Sequence, residues 1–423
     1  MSNAIILFFL LGAASLLSAA EESVDSFRCP YDKDPTHPWN HLHQALFERV
    51  QNGTPIIHRL DPIERLADDK TYYILRADRY QKVLDALTEF VEKKHDTLIK
   101  SPAKRLFLQR DLWALFDAVS WMPDDWVYKS EDEPQAVKLR RPLALLIARL
   151  ALTPEEIKAL PDNYAAAVKA ASFPPSANVE KPELAYCPSD FFDRDEPWVR
   201  LSSYPPLTSH HTKASGVRSH FHILLKLPEG RTQTIAYLKS LEGKRQDNLP
   251  QFPAGTQVAL VRRPLAIDTH GTIRETPIVE TIQIRVFRHF NEIQTATPVP
   301  QDVYALHLNR AALFDGGHGL FAELPPRFPG SDGLNLIPLE KPDTPILNQR
   351  TALLSFNCLA CHAQPGIHSM NSLMNRFFQK GEPYEFYPYR WGVEMDCSIS
   401  TKYNSFDWGL LRGYLEGMKE LTE

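Results

Sequence analysis

At 423 residues the chain is too long for one small core, and with 43% hydrophobic and 23% charged residues it has the composition of a folded protein, which excludes broad disorder. The formal net charge is −5 and there is no long basic run, which argues against nucleic acid as a partner because phosphate binding needs a concentrated positive surface. The 34 prolines imply many rigid, non-helical connections.

At the N-terminus, Ile5 to Ala20 is an apolar stretch that ends in Ser18-Ala19-Ala20 before Glu21 and Glu22. It is short for a membrane span and suits the core of a signal peptide, so residues 1–20 are expected to direct the chain to the periplasm or outside. The alternative is an uncleaved anchor, in which case membrane contact is confined to this segment. Residues 21–175 read as mainly helical. From Asp78 to Lys94, Tyr80, Val83, Leu84, Leu87 and Val91 fall at three- and four-residue steps, and Leu108, Leu112, Leu115, Phe116 and Val119 repeat that spacing between Arg105 and Trp121. Pro142 to Leu152 predicts a third helix with the proline at its start, apolar enough to be buried and too short to span a membrane. Thr153 followed by Pro154 marks another helix start, and a helix from Asp162 to Ala171 must stop before Phe173-Pro174-Pro175.

Pro174 to Pro188 reads as a linker, and residues 176–300 form a β-rich α+β region. Strands are expected at Ser219–Leu227, Thr256–Asp268 and Pro277–Arg288, with Asp268-Thr269-His270-Gly271 as a turn and a helix from Thr232 to Leu241. Val303 to Leu308 is expected to add an edge strand. Residues 301–345 are a Pro/Gly-rich connection, and residues 346–423 an all-α segment with helices at Ile346–Cys361 and Phe406–Glu420. The expected fold class is therefore α+β.

The chemistry concentrates in Asn357-Cys358-Leu359-Ala360-Cys361-His362. Two thiols three residues apart lie on one face of a helical turn, spaced to bond the two vinyl groups of a haem, and the histidine that follows points its ring at the iron. Other readings of the run are a zinc knuckle, which needs a further ligand such as Cys397 or His368, and a plain disulfide. A thioredoxin-type redox pair would want a βαβ setting. If haem takes Cys358 and Cys361, three of the five cysteines remain. Cys29 and Cys187, each before a proline, are then the favoured disulfide, with Cys397 left over.

This segment resembles the class I cytochrome c fold, in which a helix ending in Cys-x-x-Cys-His is crossed by a C-terminal helix. The resemblance rests on Cys358-Leu-Ala-Cys361-His362, on Leu353, Leu354 and Phe356 before it, and on Leu410-Leu411-Arg412-Gly413-Tyr414-Leu415. It implies haem c held by thioethers to Cys358 and Cys361, His362 as proximal iron ligand, and Met395 as distal ligand. Met370, Met374 and His368 lie nearer the motif, and a five-coordinate iron is the alternative. Upstream, Leu160 to Val168 and Ser219 to Leu241 resemble uncharacterised bacterial extracytoplasmic proteins that also carry a Cys-x-x-Cys-His run. The expected function is electron transfer to a redox partner protein. A haem peroxidase or sensor with an open distal site, using a residue such as His368 or His318, is the first rival. A secreted binding or structural module, in which the cysteine pair is a disulfide, is the second.

Other constellations have two readings each. His220 and His222 flank Phe221 on an expected strand, so both imidazoles face one side, and with His210 and His211 nearby they suggest a second metal site or merely a polar strand face. The same two readings apply to His41 and His43. Asp315-Gly316-Gly317-His318-Gly319 is either a simple turn or a close approach to the haem edge. Tyr387, Tyr389 and Trp391 either wall the haem or fill a small core. Ser219, Ser355 and Ser369 lack a nucleophile-elbow context, which excludes a serine hydrolase of that type.

Overall fold

The computed structural model describes residues 32–51, 54–57, 77–120, 135–177, 185–189, 191–192, 196–201, 218–241, 244, 248–287, 301–322, 366–370 and 397–420. The fold is α+β, as its patterning predicts. Helices α1 (Pro38–Phe47), α2 (Ala77–Glu92), α3 (Pro102–Ser120) and α4 (Gln135–Arg149) come first, interrupted by a hairpin of β1 (Glu48–Gln51) and β2 (Thr54–Ile57). Short helices α5 (Pro154–Lys158) and α6 (Asn163–Lys169) lead into an antiparallel sheet. Its strands are β3 (Val199–Leu201), β4 (Ser219–Lys226), β5 (Gln257–Ile267), β7 (Thr281–Phe287), β8 (Gln301–Leu308) and β9 (Leu320–Ala322), in that spatial order, with α7 (Arg231–Ser240) between β4 and β5. A short β6 (Ile273–Glu275) pairs with the end of β5, and α8 (Arg310–Phe314) precedes β9.

β5 organises the molecule because it belongs to two cores. Its first residues pair with β7 from Gln257 to Arg262, and its last three pair with β6. Pro264 stands between these two stretches, where a residue without an N–H does least harm to a ladder. Ala259 and Val261 face a cluster built on Tyr186, Phe191, Trp198, Ile282, Ile284 and Tyr304. Val258 packs on the opposite face with Ile223, Leu225, Tyr237, Phe252 and Phe287. Leu265 and Ile267 then enter the helical core of Trp39, Leu87, Trp113, Phe116, Leu143 and Ile147. Gln109 of α3 locks this junction: its buried amide donates to the carbonyls of Ile147 (3.0 Å) and Ile267 (2.8 Å) and accepts from the Ile267 N–H (2.9 Å). A buried amide with donors and acceptor all used adds specificity without an orphan cost.

Where the chain dictates its structure locally, expectation and fold agree. Thr153 accepts from the Glu156 N–H while Glu156 reaches back to the Thr153 N–H, a complete capping box with Pro154 in the first turn. Two expectations need correction. Pro142 does not open a helix but lies inside α4, because the two turns before it bury Ala136 and Leu139 and so offset the lost hydrogen bond. β8 is not an edge strand, since β9 pairs beyond it through Leu306↔Ala322 and Leu308↔Leu320. Cys187, expected to pair with Cys29, is a buried free thiol, pushed up to about 12 by burial; Cys29 lies outside the described residues. Among the described residues no helix is long and apolar enough to cross a membrane.

The C-terminal helices α9 (Cys397–Tyr403) and α10 (Phe406–Glu420) pack on the N-terminal ones. Trp408 meets Trp113 with ring centroids 5.9 Å apart, Tyr414 meets Phe116 at 6.0 Å, and Leu411 is fully buried. Thus α3 and α4 occupy the apolar face for which the resemblance implies the helix of residues 346–361, and that helix lies outside the described residues.

The turn after β5 carries a pH-sensitive contact. Asp268 Oδ1 accepts the N–H groups of His270 (2.9 Å) and Thr272 (2.8 Å), Oδ2 accepts from Arg274, and Gly271 supplies the positive φ of 77°. Burial pushes this carboxyl up, but the Arg274 and backbone hydrogen bonds outweigh it and hold it below its ordinary value of 3.8. The folded state therefore binds that proton less tightly than the unfolded one. Its contribution is present above about pH 4 and is lost as pH falls further. Asp268→Asn is expected to cost about 1–3 kcal/mol at pH 7. It should also flatten the acid limb of urea-unfolding midpoints below pH 4; an unchanged acid limb would remove Asp268 from that role.

Candidate metal centre

Alternation along β4 places His220 and His222 on one face, and the pairing His220↔Arg263 sets Arg263 of β5 beside them. β6 brings Glu275 to the same place through Leu265↔Glu275. Glu275 spans the two rings: Oε2 lies 2.5 Å from His220 Nδ1 and Oε1 lies 2.7 Å from His222 Nε2. The imidazoles stack at 4.2 Å between centroids and are both buried, whereas the Glu275 side chain keeps 27% of its surface exposed. The cluster is dry on the protein side and reachable on the carboxylate side.

Its surroundings set its charge. Arg263 donates to Glu275 Oε1 at 3.3 Å and lies 4.2 Å over the ring of Phe192, which in turn presents an edge to His222. Arg200, an exposed position of β3, approaches His220 Nε2 at 3.2 Å. Burial pushes His222 down to about 4 against the pull of Glu275, so the ring is neutral at pH 7. Burial also pushes Glu275 up, but the hydrogen bonds from His220 and His222 outweigh it and hold the carboxyl well below the usual carboxylate range. An ionised carboxylate has only acceptors, so both facing nitrogens carry their protons and donate. His222 Nδ1 is buried with no hydrogen-bond partner.

Other histidines stand apart. His41 and His43 are two residues apart on α1, which sends them to opposite sides of a helix and excludes a shared metal between them. His318 spends both nitrogens away from the cluster, Nε2 with Ser172 Oγ after α6 at 2.9 Å and Nδ1 accepting the Leu320 N–H of its own turn at 3.0 Å. Gly319 there is required, since its φ is +69° and a Cβ would meet the Asn309 carbonyl oxygen at 2.7 Å. His368 lies on a 3₁₀ turn at Gly366–Ser369, and Met370 just after it is buried beside Ile367 in the apolar cluster under the sheet. Cys358, Cys361, His362, Met374, Tyr387, Tyr389, Trp391, Met395, His210 and His211 lie outside the described residues.

Of the three converging donors, the sequence gives the two histidines and misses the glutamate. The four-residue turn Asp268–Gly271 carries the only signal for it, because it fixes Ile267↔Ile273 and hence places Glu275 against Leu265. No protein-family model, curated protein or solved structure matches this chain.

Proposed function

We propose that the protein is an extracytoplasmic monohaem c-type cytochrome, addressed by residues 1–20 and passing electrons to a redox partner protein. The run Cys358-Leu359-Ala360-Cys361-His362 carries this reading. Cys358 and Cys361 would hold the porphyrin, His362 its iron, and Met395 the distal position. Bound haem supplies an iron that cycles between ferric and ferrous states.

The described residues suit such a group. Gly366 stands four positions after His362, a span of at most about 14 Å. Gly366 to Met370 is packed: the Ile367 N–H donates to Gln251 Oε1 at 2.7 Å, and Ile367 and Met370 join Tyr237, Phe252 and Phe287 in an apolar, aromatic cluster. A macrocycle held at His362 would lie within reach of this buried cluster. On the same face of the sheet, Gln283 sits opposite Leu260, and its Nε2 is a buried donor without a partner, of a kind that a haem propionate can use.

A pyridine haemochrome spectrum of the chain, matured in a periplasm with a cytochrome c assembly system, tests the reading. A c-type spectrum with one haem per chain retained after denaturation is expected. A colourless protein beside a control cytochrome that matures normally would end it.

A further inference from the structure

We propose that His220, His222 and Glu275 bind a divalent transition-metal ion of the zinc type, with a coordination position left open toward solvent. The donors come from two strands that meet only because β5 changes partner at Pro264, and one donor atom from each lies within 4.8 Å of the others. Two imidazole nitrogens and one carboxylate oxygen are the donor set that zinc and its neighbours prefer, whereas magnesium and calcium ask for oxygen throughout.

The distances say what binding requires. A tetrahedral ion about 2.0–2.1 Å from each donor holds its ligands about 3.3 Å apart. The present contacts of 2.5 and 2.7 Å are direct hydrogen bonds. Opening them by about 0.6–0.8 Å, through rotation of the carboxylate, lets the ion replace the two bridging protons.

The two arginines act in opposite senses. Arg263 hydrogen-bonds the carboxylate, and support of that kind orients a metal-ligating Glu. Arg200 donates toward His220 Nε2, and once Nδ1 takes a metal that nitrogen must carry the proton, so the two donors would face each other. Arg200 is exposed on β3, so it competes with the metal from the solvent side. Phe192, also exposed, sets its ring 5.6 Å from that of His222 and gives the site an apolar neighbour.

Calorimetric titration of the full, chelator-treated chain with zinc chloride tests the site, with metal content by mass spectrometry as a second readout. One zinc per chain is expected, together with a rise in thermal midpoint that grows with zinc concentration. Glu275→Gln and His222→Ala should each weaken binding by at least about 100-fold, since ligands matter more than their supporting groups. Arg200→Ala, at a surface position that threatens no core, should tighten binding several-fold. Absence of saturable zinc binding by the unmodified chain overturns the proposal, as does binding that survives both ligand substitutions. Weaker binding in Arg200→Ala also counts against it, because Arg200 would then support the site.

Discussion

Lys402→Met is expected to destabilise the protein by about 3–5 kcal/mol, the range for removing one partner from a buried ion pair. Lys402 Nζ on α9 donates to Asp117 Oδ2 of α3 at 2.7 Å and to Asp407 Oδ2 of α10, and it sits 5.2 Å over the Trp113 ring. All three charged side chains are fully buried or within 1% of it, and Arg218, 2.5 Å from Asp117, completes the group. Without the ammonium, two carboxylates would face each other in a dry site, with one guanidinium beside Asp117. Burial already pushes Asp117 up to about 7 despite Lys402. Losing the cation raises Asp117 further and removes a contact that holds Asp407 below its ordinary value; a raised folded value gives stability at low pH that is lost as pH rises through it. The deficit of the variant should thus shrink between pH 7 and pH 5. Adding Asp407→Asn should recover part of it. Urea unfolding of the single and double variants decides the matter: a cost below about 1 kcal/mol would mean that the group is solvated and contributes no more than a surface pair.

That contact joins residues 285 positions apart, and contacts of this kind are the ones the sequence conceals. Patterns that depend on neighbours along the chain are legible. The stripe of Tyr80, Val83, Leu87 and Val91 makes α2, and Thr153 with Glu156 caps α5. β4, β5 and β7 are visible as β-branched runs buried on both faces. The β1–β2 hairpin, in which Gln51 pairs with Thr54, departs from the helical reading of residues 21–175. Pro142 misleads because a proline is a good helix opener, and only the burial of Ala136 and Leu139 shows why the chain tolerates one in mid-helix.

For the site, the spacing of His220 and His222 gives a shared face but no third donor. Glu275 sits on a strand of three residues, too short to show any alternation, and it reaches the histidines only through the partner change along β5. That pairing is tertiary information. Arg200 and Arg263 are unremarkable in sequence, yet each hydrogen-bonds a member of the cluster. The haem motif is the reverse case. Its chemistry is readable from six consecutive residues, because a covalently held cofactor needs a local spacing rather than an assembled pocket.

Replacing Cys358 and Cys361 together by serine is therefore expected to abolish covalent haem completely. The unmodified chain should retain one haem after denaturation and acid-acetone extraction, and the double variant none. The described cores hold neither cysteine, so far-UV circular dichroism should still report the folded helices and sheet. Zinc binding at His220, His222 and Glu275 should survive as well, since those donors lie on β4 and β6. Retention of zinc with loss of haem would show two independent centres, and loss of both would show that the haem segment is needed to hold the sheet together. Met395→Ala then reads the distal side. Conversion of a low-spin to a high-spin spectrum, with a lower reduction potential, is expected when a thioether that favours ferrous iron is removed. An unchanged spectrum would take Met395 off the iron and favour an open position. Haem retained by the double serine variant would mean that the thioethers are not what holds it, and the assignment of Cys358 and Cys361 would fall.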